Sequence, residues 1–141
     1  MASIYREALL DVPVAVAWDF VDRYSRSEVH AFSICISERQ VDDYRVVQTR
    51  DGDEIWERNV TVDPVRRRAV YTIPQYPGGA QHHQAEMHVD EAPDGQARLE
   101  WTTDILPHEL VDGLDEAYDE AMADLVAAIN AHAVASKSAE S

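Results

Sequence analysis

The stretch QHHQAEMHVDE (81–91) gathers three histidines among carboxylates, residue types that bind metals or move protons. As an extended strand it separates them. His82, Gln84, Glu86 and His88 fall on one face, while His83, Ala85, Met87 and Val89 share the other. His82 and Glu86 then stand roughly 13 Å apart, too far to share an ion held by bonds of about 2 Å. Glu86 with His88 makes only two ligands, so no metal is expected. His83 sits among apolar residues. A histidine there, retuned by a neighbouring carboxylate, can do acid–base work near neutral pH. Cys35 is the single cysteine and has no base nearby in the chain; it is expected to be a small buried hydrophobe. There is no Gly-rich phosphate loop, nucleophile elbow or dinucleotide fingerprint, and no cofactor is expected.

His83 must be held by a strand, and the chain supplies seven candidates. Residues 2–10 alternate weakly and read as the first. Asp11 and Pro13 then open a short helix with Val16 and Phe20 on its apolar side, and a second short helical or turn segment follows around 22–29. Six further strands are expected at 31–40, 44–50, 53–62, 67–74, 81–91 and 96–106, separated by Asp, Gly and Pro turn material. Such short connections imply sequential antiparallel pairing. From His108 to about Ala133, Leu110, Leu114, Tyr118, Met122, Leu125 and Ile129 recur at helical spacing, opposite a side rich in Asp and Glu. One long helix with one apolar side must cross the sheet's apolar face. A seven-stranded sheet curls around it and leaves a gap. The fold class is therefore α+β, a single domain over 1–134 with a disordered tail at 135–141.

Alternation assigns the wall of that gap. Phe32, Ile34 and Ile36 face inward on 31–40; Ala69, Tyr71 and Ile73 on 67–74; Leu99, Trp101, Thr103 and Ile105 on 96–106. Two strands stay open. On 44–50 the inner set is either Arg45, Val47, Thr49 or Tyr44, Val46, Gln48. On 53–62 it is either Ile55, Glu57, Asn59, Thr61 or Trp56, Arg58, Val60, Val62, and propensity favours the Trp56 set. On the helix, Gly113, Ala117 and Ala121 form a small-residue line flanked by Leu114 and Tyr118, which would leave room against the sheet.

The totals narrow the partners. The chain has 141 residues and a net charge of −15. So acidic a surface repels phosphate, and neither nucleic acid nor an anionic membrane is expected as a partner. No apolar run approaches a membrane span. Arg6, Glu7 and Asp11 interrupt the N-terminus where a signal peptide needs an apolar stretch. A cytoplasmic monomer or homodimer is expected.

Three stretches carry a family resemblance. PVAVAWDFVDRYS (13–25) is similar to an opening helix of the form Pro-x-x-x-Val-Trp. IWERNVTVDPVRRRAVYTI (55–73) resembles a Glu-Arg … Asp … Arg strand pair, and ARLEWTTDI (97–105) a penultimate Trp-Thr strand. Together they resemble the START-related (SRPBCC) helix-grip superfamily, in particular its polyketide cyclase/dehydrase branch. The resemblance implies a curved seven-stranded sheet around a C-terminal helix, with two short helices after strand 1. It also implies that Arg45, Glu57, Tyr71 and His83 face the pocket, which selects the Arg45 set on 44–50 and the Glu57 set on 53–62. The sequence departs from the aromatic-polyketide cyclases where those carry Ser and Arg, with Asn59 and Thr61 instead.

The expected function follows. The cavity binds a small hydrophobic molecule, either polyketide-like, aromatic or lipid. It does so as a carrier or sensor, or as a catalyst of cyclisation or dehydration. In the catalytic reading His83 is the acid–base group, with Glu57 and Arg45 setting its charge. Phe32, Ile34, Val47, Ile55, Asn59, Tyr71, Ile73, Ala85, Met87, Trp101, Gly113, Leu114, Ala117, Tyr118 and Ala121 are the expected ligand contacts.

Overall fold

A computed structural model describes residues 2–76 and 78–140, with the backbone alone for Ala2 and 136–140. β1 (Ala2–Leu10) leads into α1 (Val14–Ser25). Pro13 stands one residue before α1, and its carbonyl accepts the Val16 and Ala17 N–H groups. Ala17, Phe20, Val21 and Tyr24 are the buried side of α1. Two short helices were expected here. Instead α1 runs unbroken to Ser25, and the following residues turn without forming a second helix.

The remaining strands are β2 (Cys35–Val41), β3 (Tyr44–Thr49), β4 (Glu54–Asp63), β5 (Arg68–Thr72), β6 (His82–Glu91) and β7 (Ala97–Leu106). All pairings are antiparallel, and the sheet order is β1-β7-β6-β5-β4-β3-β2. Each hairpin places successive strands side by side, and β1 closes onto β7. Alternation is strict on β7, where Leu99, Trp101, Thr103 and Ile105 are buried. It fails on β2, because residues 31–34 are not strand and the register shifts between Cys35 and Ser37. Cys35 therefore faces inward, while Ile34 and Ile36 are more than half exposed.

After β7 comes a short 3-10 helix (His108–Gly113), then α2 (Asp115–Glu140). The single helix expected over 108–133 is thus two pieces, and α2 continues through 135–140, the stretch read as a tail; Ser141 lies outside the described residues. Met122, Leu125, Ile129 and Ala133 bury one stripe of α2 in the same core as Leu10, Val21, Met87, Val89 and Leu99. Arg6 on β1 binds Asp119 (2.7 Å) and Asp115 (3.2 Å) and ties the start of α2 to the sheet edge. At the other end His132 donates to or accepts from Asp19 of α1 at 2.8 Å. The described residues include no helix long and apolar enough to cross a membrane.

Candidate functional site

A cavity of about 430 Å³ lies between α2 and the inner face of the sheet. β3, β4 and β5 supply one wall through Val47, Ile55, Tyr71 and Ile73; Trp101 of β7 and Phe32 supply another. Leu114, Ala117, Tyr118 and Ala121 close it from the helix side. The rings of Phe32 and Trp101 are stacked at 5.6 Å, and Trp101 meets Tyr118 at 4.9 Å. Tyr118 in turn donates to Thr103 Oγ1 at 3.1 Å, fixing its ring.

The inner register on β3 and β4 is the one the resemblance implied. Arg45, Val47 and Thr49 face inward, as do Ile55 and Glu57. Trp56 lies on the outer face, sheltered by Tyr44 (ring centroids 5.3 Å apart) and by Arg39 above it. Trp56, Val60 and Val62 are exposed there, so strand propensity alone did not separate the inner face from the outer one.

Arg45 and Glu57 are directly paired across β3 and β4. Arg45 Nη1 donates to Glu57 Oε2 at 3.2 Å, and its side chain is only 2% exposed. The Tyr24 hydroxyl donates to Glu57 Oε1 at 3.2 Å, and the guanidinium lies 4.0 Å from the Tyr24 ring centre. Arg45 Nη2 also reaches Glu38 at 3.4 Å, and Glu38 meets the exposed His30 at 2.6 Å. Burial raises the Glu57 carboxyl above its ordinary value, with Arg45 and then Tyr24 pulling the other way.

His83 is 4% exposed and lines the same cavity, but Glu57 is not its partner. Its Nδ1 accepts the Ile73 N–H at 3.2 Å, and Tyr76 stacks on its ring at 5.1 Å. Register explains the separation. Arg58 pairs with Thr72, so Glu57 stands beside Ile73, and Ile73 stands beside His83. β5 lies between the two groups, and two strand spacings are roughly 10 Å. Among the described residues no ion pair joins them. Acceptance at Nδ1 puts the proton of the neutral ring on Nε2. Burial lowers its pKa to about 4. The acid–base partnership of His83 with Glu57 and Arg45 is therefore corrected: two polar poles, Arg45–Glu57–Tyr24 and His83–Tyr76, stand apart on one wall.

Other expected contacts also move. Ala85 and Met87 are inner-facing but sealed in the core below the cavity. Asn59 precedes a bulge, and its Nδ2 donates to the Ser25 carbonyl at 2.7 Å, anchoring α1. Gly113 ends the 3-10 helix, and a Cβ there would meet nothing within 4 Å. Ile34 keeps a place at the mouth despite its exposure.

Sequence reasoning missed Tyr24, Cys35 and Tyr76 in the wall, and Asp51, Asp53, Glu120 and Asp124 around the mouth. Asp51, Asp53 and Tyr76 lie on loops without periodicity, whereas Tyr24 of α1, Cys35 of β2 and Glu120 and Asp124 of α2 lie in regular elements whose facing toward the cavity depends on how those elements pack. Asp124 accepts the Ser33 N–H (2.9 Å) and hydroxyl (2.7 Å), clasping α2 to the segment before β2. Burial raises the Cys35 thiol to about 11, so it is no thiolate nucleophile.

Two other features lie outside this cavity. On the outer face His88, Asp90 and Glu100 bring three ligand atoms within 4.8 Å of one another, a cross-strand grouping hidden from single-strand spacing. Arg98 already occupies those carboxylates, at 2.7 Å from Asp90 and 3.9 Å from Glu100, so the cluster is an ion-pair network. A groove of about 450 Å³ near Glu7, Leu9, Pro93 and Arg98 holds no aromatic ring.

No family model and no curated protein matches the sequence. Solved structures do match. The protein XoxI from Bacillus cereus is 18% identical, with a TM-score of 0.79 over 95% of this chain and 96% of that one. The Zhui aromatase/cyclase from Streptomyces sp. R1128 is 14% identical, with a TM-score of 0.71 over 94% and 93%. A norcoclaurine synthase from Thalictrum flavum is 17% identical, with a TM-score of 0.65 over 96% of both chains. At these identities the likeness establishes the fold, which is helix-grip.

Proposed function

We propose that the protein binds a small, uncharged hydrophobic molecule, aromatic or polyketide-like, in the cavity between α2 and the sheet. The observation that carries this reading is a cavity of about 430 Å³ walled by aromatic and aliphatic side chains, whose one buried cation is already committed. Arg45 is neutralised by Glu57 and Glu38, so it has no charge to spare for an anionic ligand. Asp51, Asp53, Glu120 and Asp124 at the mouth would repel one. That two neighbours in fold are an aromatase/cyclase and a norcoclaurine synthase supports a cavity suited to ring compounds. The test is a titration with the neutral fluorophore N-phenyl-1-naphthylamine. Saturable binding is expected, weakened about tenfold or more by Ala121→Trp, which fills the cavity from α2; a tenfold loss is about 1.4 kcal/mol. Equal affinity of both proteins would contradict the reading.

Catalysis is a second reading, favoured by one observation: Glu57 is a cavity carboxyl whose pKa is raised by burial. A carboxylate so placed suits proton abstraction beside a carbonyl, with Tyr24 and Arg45 holding its charge. Glu57 takes the proton from carbon, exchanges it with solvent and returns a deuteron in D2O, so the exchange needs no co-reactant beyond water. Deuterium exchange into the methyl group of 2-acetylnaphthalene in D2O should then be accelerated by the protein and lost in Glu57→Gln. Equal exchange rates with and without protein would remove catalysis and leave binding intact.

A further inference from the structure

Tyr71 is 8% exposed and lines the cavity from β5, the central strand of the sheet. That position sets it between the two polar poles. It pairs with Asn59, two residues along β4 from Glu57, so Glu57 is a diagonal neighbour within reach of a long side chain. On the other side its ring lies 6.0 Å from that of His83. Ala85 stands opposite Tyr71 on β6, and so small a side chain leaves room for Trp101 of β7 to approach over it. The Trp101 indole N–H is directed at the Tyr71 oxygen, in a contact looser than an ordinary hydrogen bond. The Tyr71 O–H itself is taken by no acceptor among the described residues, whereas Tyr24 donates to Glu57 at 3.2 Å and Tyr118 to Thr103 at 3.1 Å. Nor is this hydroxyl sealed in the core, as Trp101 Nε1 is; its open side is the cavity. Burial holds its pKa well above the ordinary value, and Tyr24, Glu57 and Tyr118 push the same way, so the proton stays on. A buried donor left unmade costs free energy and calls for an explanation.

We infer that the Tyr71 hydroxyl is the cavity's hydrogen-bond donor to its ligand, and that the ligand presents an uncharged carbonyl oxygen to it. This rests on the ligand-binding reading above and adds the recognising residue and the chemical class. The indole N–H already addresses the oxygen of Tyr71, so what this hydroxyl offers is its proton, and the group that answers it must accept. A carbonyl accepts without bringing a charge, in keeping with the committed Arg45 and the neighbouring Glu57. A pure hydrocarbon would leave the O–H unmade. A carboxylate would accept it but meet Asp51, Asp53, Glu120 and Asp124 on the way in and Glu57 inside.

The experiment uses a matched pair of neutral probes, 2-acetylnaphthalene and 2-isopropylnaphthalene, which share shape and differ in the carbonyl. Calorimetric titration of both into wild type and Tyr71→Phe, which keeps the ring and removes the hydroxyl, gives the affinities. The ratio of ketone to hydrocarbon affinity is expected to fall about fivefold in the variant, in the range of one neutral hydrogen bond, with hydrocarbon binding little changed. The infrared carbonyl stretch of the bound ketone, ¹³C-labelled at that carbon, gives a reading that wild type alone supplies. It should lie below its position in hexane, and Tyr71→Phe should return it toward that position. A wild-type stretch at the hexane position would overturn the inference while leaving the cavity intact. So would a lowered stretch and an affinity ratio that Tyr71→Phe leaves unchanged, since another group would then hold the oxygen. If neither probe binds the wild type, the ligand-binding reading fails and takes this inference with it.

Discussion

Arg45→Ala is expected to lower the free energy of unfolding by about 3–5 kcal/mol, the cost of stranding a buried carboxylate. Arg45 and Glu57 have 2% and 9% of their side chains exposed, and among the described residues Arg45 and Tyr24 compensate Glu57. A domain of this size is stable by about 5–15 kcal/mol, so the variant should sit near the edge of folding at growth temperature. Removing both charges is a different matter. The double change Arg45→Met with Glu57→Leu removes both members of the buried pair and leaves Glu38 with His30 as its partner, and apolar replacements of buried pairs are often neutral or better. It should recover most of the loss. Denaturant unfolding of the three proteins decides the point. A single-variant cost below about 1 kcal/mol, as exposed pairs show, would mean that water reaches the pair and that it is not the buried pole described here.

The second large effect concerns pH. Burial lowers the His83 pKa to about 4, against 6.5 for the unperturbed ring. Between those values the unfolded chain takes up a proton that the folded one refuses. Stability from neutral His83 is therefore complete above pH 6.5 and is lost as pH falls toward 4. The interval is worth about 3 kcal/mol. Protonation of the many surface carboxylates changes stability over the same range, so the readout is a difference. Between pH 7 and 4, wild type should lose about 3 kcal/mol more than His83→Asn, whose amide oxygen still accepts the Ile73 N–H. Parallel curves would show that His83 titrates freely. NMR should place its midpoint near 4, and Glu57→Gln should leave that midpoint in place, because β5 separates the two groups.

How much of this was legible in the chain depends on the element. On β7 strict alternation marked Leu99, Trp101, Thr103 and Ile105 as inward, and all four are buried. The same parity placed His83 correctly on β6. Alternation names a face, however, and not a neighbour across the sheet. Glu57 and His83 share a face and a row yet stand two strands apart, which only the full pairing register reveals. Bulges broke parity where it was trusted: the shift at Cys35/Ser37 turned Ile36 outward and brought Cys35 in, and Asn59 lies at the other. Gly113 fell out of the small-residue line because its segment winds as a 3-10 helix, with a different angular step from α2. Asp51, Asp53 and Tyr76 lie outside the periodic stretches that sequence reasoning follows, and Glu120 and Asp124 lie on the acidic side of α2, which periodicity reads as solvated.

The central claim is that the space between α2 and the inner sheet face receives a small neutral apolar molecule. Intermolecular nuclear Overhauser contacts from bound N-phenyl-1-naphthylamine test it most directly. Contacts to the methyl groups of Val47, Ala117 and Ala121 and to the ring of Tyr118 are expected. Contacts confined to outer-face side chains such as Val60 and Val62, or to the rim groove at Leu9, would contradict it.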